Sequence, residues 1–204
     1  MTTWTFKGLA AGAILLALAG CDGTGAPGGS GATTGAVYAL PSATLSRGSV
    51  TLVPANGFCV DKRSLRARFA LLARCDTLGG QGTYGAPLAV ITATAIDQSR
   101  VRSGATASFG ADGEVIVDRR QYDSVLLLQV KGTPPSPDMR DVFWRAVAQV
   151  GDQMIGLAIY EAAGGAGIGE QAPDLLRQTM RRTQERTAAV QDNSATSEAK
   201  QTLN

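Results

Sequence analysis

Histidine is absent from all 204 residues, and that absence closes more routes than any motif opens. Without an imidazole there is no Ser-His-Asp or Cys-His relay, no His-ligated zinc, and no side chain whose unperturbed charge switches near neutral pH. The nucleophile pattern G-x-S-x-G and the phosphate loop G-x-x-x-x-G-K are also missing. Aromatic residues make up 5% of the chain, and lysine occurs only at Lys7, Lys62, Lys131 and Lys200. The formal net charge of +2, from 19 basic and 17 acidic side chains, lacks the overall excess that marks nucleic-acid partners. No apolar run reaches the roughly 20 residues that a spanning helix needs.

The longest apolar run, Gly8 to Leu18, follows Lys7 and ends in small residues, Leu18-Ala19-Gly20-Cys21. A short apolar core before small residues is the pattern of a secretory signal. Leu18 to Cys21 resembles the lipobox of bacterial lipoproteins. That resemblance implies a diacylglycerol on the Cys21 thiol and cleavage on its amino side, so residues 1–20 are a signal peptide and Cys21 is the first mature residue. It also implies a membrane anchor facing the periplasm. Asp22 resembles the signal that retains such proteins at the inner membrane in enteric bacteria, favouring the inner over the outer membrane.

Residues 21–36 continue from Cys21 as DGTGAPGGSGATTGA, which holds almost nothing able to enter a core and reads as a tether. Residues 37–189 form one stretch of single-domain size. Residues 190–204 are polar and without period, and read as a disordered tail. Removing residues 1–20 takes away Lys7 and leaves 18 basic against 17 acidic side chains.

The chain has three cysteines. With Cys21 lipidated, Cys59 and Cys75 remain as a pair, and an even number in an exported protein favours a disulfide. The alternative is two reduced, buried thiols.

Strands dominate the domain reading. Val50 to Val53 and Gly57 to Asp61 are apolar runs parted by a turn at Pro54-Ala55-Asn56. Phe69 to Cys75 fits a strand or a helix; a strand would return Cys75 beside Cys59. Pro87 to Ile96 alternates, with Val90, Thr92 and Thr94 on one side. Asp112-Gly113 suits a tight hairpin that would set Phe109 near Ile116. Val125 to Val130 is continuously apolar and expected to be central in the sheet. A two-residue turn at Gly151-Asp152 would pair Val150 with Gln153, Ala148 with Ile155, Ala146 with Leu157 and Trp144 with Ile159. Ala172, Leu175, Leu176, Thr179, Met180 and Thr183 then recur at helical spacing. The expected class is α+β, an antiparallel sheet with a C-terminal amphipathic helix packed on it.

Several groups invite a chemical reading. Gly164 to Gly169 lies between strand and helix, but its spacing is one residue short of a dinucleotide fingerprint and no strand follows. Lys62 with Ser64, or Asp118 with Asp123, are the remaining catalytic pairings, each set against a plain polar turn. Asp97, Asp112, Glu114 and Asp118 lack calcium-loop spacing, and Cys59 and Cys75 lack a C-x-x-C spacing. Arg177, Arg181, Arg182 and Arg186 could meet anionic headgroups or simply face solvent. No cofactor or metal is expected.

The segments PANGFCVD and WRAVAQVGDQMIGLAIYEA, with the order of elements from Val50 to Arg186, resemble the α/β sandwich of PsbP-like proteins. That resemblance implies an extracytoplasmic binding or assembly accessory without a catalytic centre. The function expected is therefore a lipid-anchored periplasmic module that binds or assembles an envelope protein. A small-ligand carrier with a concavity between helix and sheet, and an enzyme using carboxylates alone, are the alternatives.

Overall fold

The computed structural model describes residues 37–82, 85–98, 113–165 and 167–201. Among the described residues ten strands precede one α-helix: β1 (Ala39–Leu40), β2 (Ala43–Leu45), β3 (Val50–Leu52), β4 (Phe58–Asp61), β5 (Phe69–Arg74), β6 (Val90–Asp97), β7 (Val115–Tyr122), β8 (Val125–Lys131), β9 (Val142–Val150), β10 (Gln153–Tyr160) and α1 (Gln171–Gln201). Eight strands form one sheet in the order β1-β4-β5-β6-β10-β9-β8-β7, and β2 and β3 pair separately. Every pairing is antiparallel. The protein is an α+β domain whose C-terminal helix packs on its sheet.

The β9–β10 hairpin has the register its alternation dictates: Val150 opposes Gln153, Ala148 opposes Ile155, Ala146 opposes Leu157 and Trp144 opposes Ile159. Gly151 takes φ +59° while Asp152 is not left-handed, the arrangement in which a two-residue hairpin places glycine first. Ile91, Ala93 and Ala95 of β6 add to this face, as do Ala70 and Leu72 of β5, all buried. Leu45, Val50 and Leu52 from the small hairpin and Leu176 and Met180 from α1 close over it in one core cluster.

Beside that core, α1 runs along β3 and completes its hydrogen bonding. The N–H groups of Thr51, Val53 and Ala55 donate to the side-chain oxygens of Thr187, Thr183 and Thr179 at 3.0, 3.1 and 3.0 Å. Four helical residues rise about 6 Å, and two strand residues advance about 6.7 Å. That near-match lets a threonine at every fourth helical position meet every second strand amide. The outer edge of β3 and of the extended residues after it, to Ala55, is thereby satisfied without another strand.

Three expectations need correction. Val125 to Val130 lies in β8, one strand in from the sheet edge rather than at its centre. Its continuous apolarity has a different cause: Val125 and Leu127 enter the core under α1, while Leu126, Leu128 and Val130 form a second cluster with Phe143, Ala158 and Tyr160 on the other face. Second, residues 118–122 lie within β7, and the turn falls at Asp123-Ser124, where Asp123 adopts φ +48°. Alternating charges mark an edge strand here, since charged side chains are tolerated where one side of the ladder meets water.

Third, the polar tail from residue 190 is helical as far as Gln201. A helix already nucleated by packing adds one backbone hydrogen bond per further residue, and here the hydroxyls of Ser194, Thr196 and Ser197 donate to the carbonyls four residues before them, so no apolar stripe is needed. Residues 188–197 are accordingly all exposed.

Candidate functional site

Cys59 and Cys75 sit on the face of the sheet turned away from α1. Pairing of β4 with β5 sets Cys59 opposite Ala73, and the chain turns at Cys75 so that its sulfur reaches Cys59 at 2.02 Å. Leu78 packs over the pair. Cys21 and Asp22 lie outside the described residues, as do Phe109 and Asp112.

Ser64 is not held for catalysis. Its hydroxyl donates to the Asp61 carbonyl at 2.7 Å and accepts from the Leu71 N–H at 2.8 Å. The proton and a lone pair are both committed, which makes Ser64 a clasp between the turn after β4 and the strand β5. Lys62 is exposed. The Asp61 carboxylate accepts from Arg63, whose hydrogen bond is the main cause holding the Asp61 carboxyl below its ordinary range.

Asp118 is likewise engaged. Its Oδ2 accepts from Arg120 Nε at 2.8 Å, and Arg120 reaches on to Glu170 at 2.7 Å with its guanidinium 4.7 Å from the Trp144 ring. The hydrogen bond from Arg120 pulls the Glu170 carboxyl down from its usual range. Asp123 belongs to the turn, where its carbonyl accepts from Gln121. Among the described residues no group of three or more Cys, Asp or Glu side chains could hold a metal ion.

The glycine loop before α1 is tied down by a charged pair. Glu161 accepts the Ile168 N–H at 2.7 Å and meets Arg140 at 3.4 Å, while Arg140 donates to the Gly165 carbonyl at 2.9 Å. One amide that could face an anion, that of Ile168, is thereby taken by a carboxylate. The helix arginines are also largely engaged: Arg177 pairs with Asp174 and lies over the Tyr122 ring, Arg181 pairs with Glu185, and Arg182 donates to Asn56.

What the structure brings together, and the sequence did not announce, is the sheet face away from α1. Glu114 and Arg145 form an ion pair there, with side-chain exposures of 5% and 18%. Tyr160 stacks at 4.7 Å from Phe143, and burial pushes its phenol upward, opposed by the nearby Arg145 charge. Two concavities flank Tyr160. One, of about 280 Å³, is lined by Phe69, Thr92, Thr94, Arg145 and Gly156. The other, of about 410 Å³, is lined by Ala73, Leu88, Val90, Met139 and Tyr160, with Arg74 and Glu161 at its polar side. Leu88 is 69% exposed there. Thr77, Ser136 and Asp138 also line it, and a cavity of that size with a mainly apolar wall and polar groups at one side suits a small, mainly apolar ligand. Only the sheet order places Thr92, Arg145 and Tyr160 side by side.

No family model matches the chain, and no curated protein matches it in sequence. Among solved structures, the Ran-binding protein Mog1p of Saccharomyces cerevisiae is similar at 15% identity with a TM-score of 0.43, over 69% of this chain and 92% of that one.

Proposed function

We propose that this protein is a lipid-anchored periplasmic domain that binds or helps assemble an envelope protein and carries out no catalytic step itself. The observation that carries the proposal is Leu18-Ala19-Gly20-Cys21 behind the apolar run from Gly8. In this reading diacylglycerol on Cys21 holds the chain at the membrane, the inner one given Asp22, and residues 22–36 lead to the domain. The approach of the Cys59 and Cys75 sulfurs supports export, because disulfides persist in oxidising compartments. Order of elements supports a PsbP-like sandwich as the domain type. The commitments of Ser64, Asp118 and Glu161 support a binding role over hydrolysis.

Metabolic labelling with a radioactive fatty acid tests the anchor. The wild-type chain takes up label and Cys21→Ser takes up none; equal labelling of both would sink the proposal. Crosslinking in the native envelope tests the partner, and a chain that repeatedly captures nothing argues against an assembly role.

The cavity beside Tyr160 favours a second reading, a carrier of a small apolar ligand. It lies on the sheet face opposite α1, whereas the space between helix and sheet is filled by Leu176 and Met180. Native mass spectrometry of protein from its own host separates the readings, since only a carrier retains a stoichiometric small molecule.

A further inference from the structure

We infer that the corner of the domain formed by the turns at 46–49 and 62–68 docks on an anionic phospholipid surface. The inference rests on the lipid-anchor reading and adds which surface the anchored domain presents.

The two turns touch, since the Ser46 N–H donates to the Ala67 carbonyl at 2.6 Å. They gather Arg47, Lys62, Arg63, Arg66 and Arg68, all exposed. Only Arg63 has an acidic partner, Asp61, and none of the ion pairs among the described residues involves Arg47, Lys62, Arg66 or Arg68. The nearest other acid by position is Asp97, at the end of β6 beside β5, two residues past Ala95, whose N–H donates to the Arg68 carbonyl at 2.9 Å. A net charge near zero hides this cluster, because opposite charges lie elsewhere in the chain.

The path of the chain says what would cover it. The described residues begin at Val37, and Tyr38 accepts the Lys62 N–H at 2.9 Å while Arg63 lies 4.3 Å over the Tyr38 ring. Residues 22–36, arriving from Cys21, thus join the domain beside the basic turns. Fully extended, a segment of that length spans at most about 55 Å, which keeps this corner within reach of the anchor. Val37 is 61% exposed at the same place, an apolar side chain suited to the headgroup boundary. A lipid chain combined with a basic patch provides the two signals that firm membrane attachment uses.

Helix α1 also passes this end of the sheet, since Gln191 lies against Gly151. It lies over β9, three strands along from β5, and also beside β3, whose Thr51 N–H donates to Thr187, so the turns that follow Thr187 pass the turn at 46–49. Contact is therefore made by the β1–β4–β5 corner with the sheet tilted, not by the whole end.

The test uses the lipidated full chain with a fluorophore at Ala67→Cys, reconstituted in phosphatidylcholine vesicles with or without phosphatidylglycerol, with an acceptor on the lipid headgroups. Energy transfer from position 67 is expected to rise with phosphatidylglycerol and fall with added salt. Each basic residue near an anionic surface favours the docked state about fivefold, so Lys62→Gln with Arg66→Gln and Arg68→Gln lowers the docked-to-free ratio about a hundredfold. A fluorophore at Asp138→Cys, at the opposite end of the sheet, shows no rise. Equal transfer from position 67 in both vesicles overturns the inference, as does a rise that appears only when an acidic protein is added. The mass of the Cys21 peptide is read from the same sample. Absence of diacylglycerol there fails the anchor itself, whereas lipid on Cys21 with equal transfer fails the docking alone.

Discussion

At the scale of single residues, the side chains with chemical promise have their reactive atoms occupied. Ser64 spends its proton on the Asp61 carbonyl. Glu161 takes an amide from the glycine loop. The residues that matter most here are Cys59 and Cys75, which close a loop with a sequence separation of 16. In the chain-entropy account a loop of that size is worth about 3 kcal/mol. Replacing both with alanine should lower unfolding stability by about that amount, read as a fall in the denaturant midpoint. An unchanged midpoint after the double replacement would mean that the crosslink does not constrain the unfolded chain.

At the scale of elements, the contact between α1 and β3 is unusual in being built from hydroxyls. Thr179, Thr183 and Thr187 are nearly inaccessible, at 0, 1 and 3% exposure, and each serves a strand amide. Thr183→Val keeps the shape but leaves the Val53 N–H without its acceptor, at a cost of about 1–3 kcal/mol. Thr183→Ser keeps the oxygen and should cost clearly less. Urea unfolding of the two variants distinguishes them, and a larger loss for Thr183→Ser than for Thr183→Val would show that the methyl packing, not the hydrogen bond, holds the helix to the strand. Helical spacing made Thr179 and Thr183 legible as core-facing positions. Their polar role was not, because the amides they serve lie more than a hundred residues earlier in the chain.

At the scale of the whole molecule, the helix outlasts the domain it packs against. Thr187 is its last buried residue among those described. Deleting residues 192–204 should therefore change stability by no more than about 0.5 kcal/mol, checked by thermal unfolding of the shortened chain. A large loss would reveal that the projecting turns support the fold. The sheet has a similar asymmetry: β7 closes one edge with Val115, Ile116 and Val117 all more than half exposed, while the short β1 closes the other.

Local pattern alone was enough for the strands β4, β6 and β10, the register of the last hairpin, and the start of the helix. Each depends on alternation, helical spacing or a glycine turn, which are properties of neighbouring residues. The proposed address rests likewise on a contiguous stretch, Leu18 to Cys21. Only the tertiary structure decided that β8 stands next to the edge, that the β2–β3 pair leaves the main sheet, and that α1 supplies threonines to a strand edge. It alone set Arg47 beside the turn of Lys62 to Arg68, and Tyr160 between two concavities. Those arrangements depend on which distant strands become neighbours, and burial rather than local preference chooses among the orders that the same pattern permits.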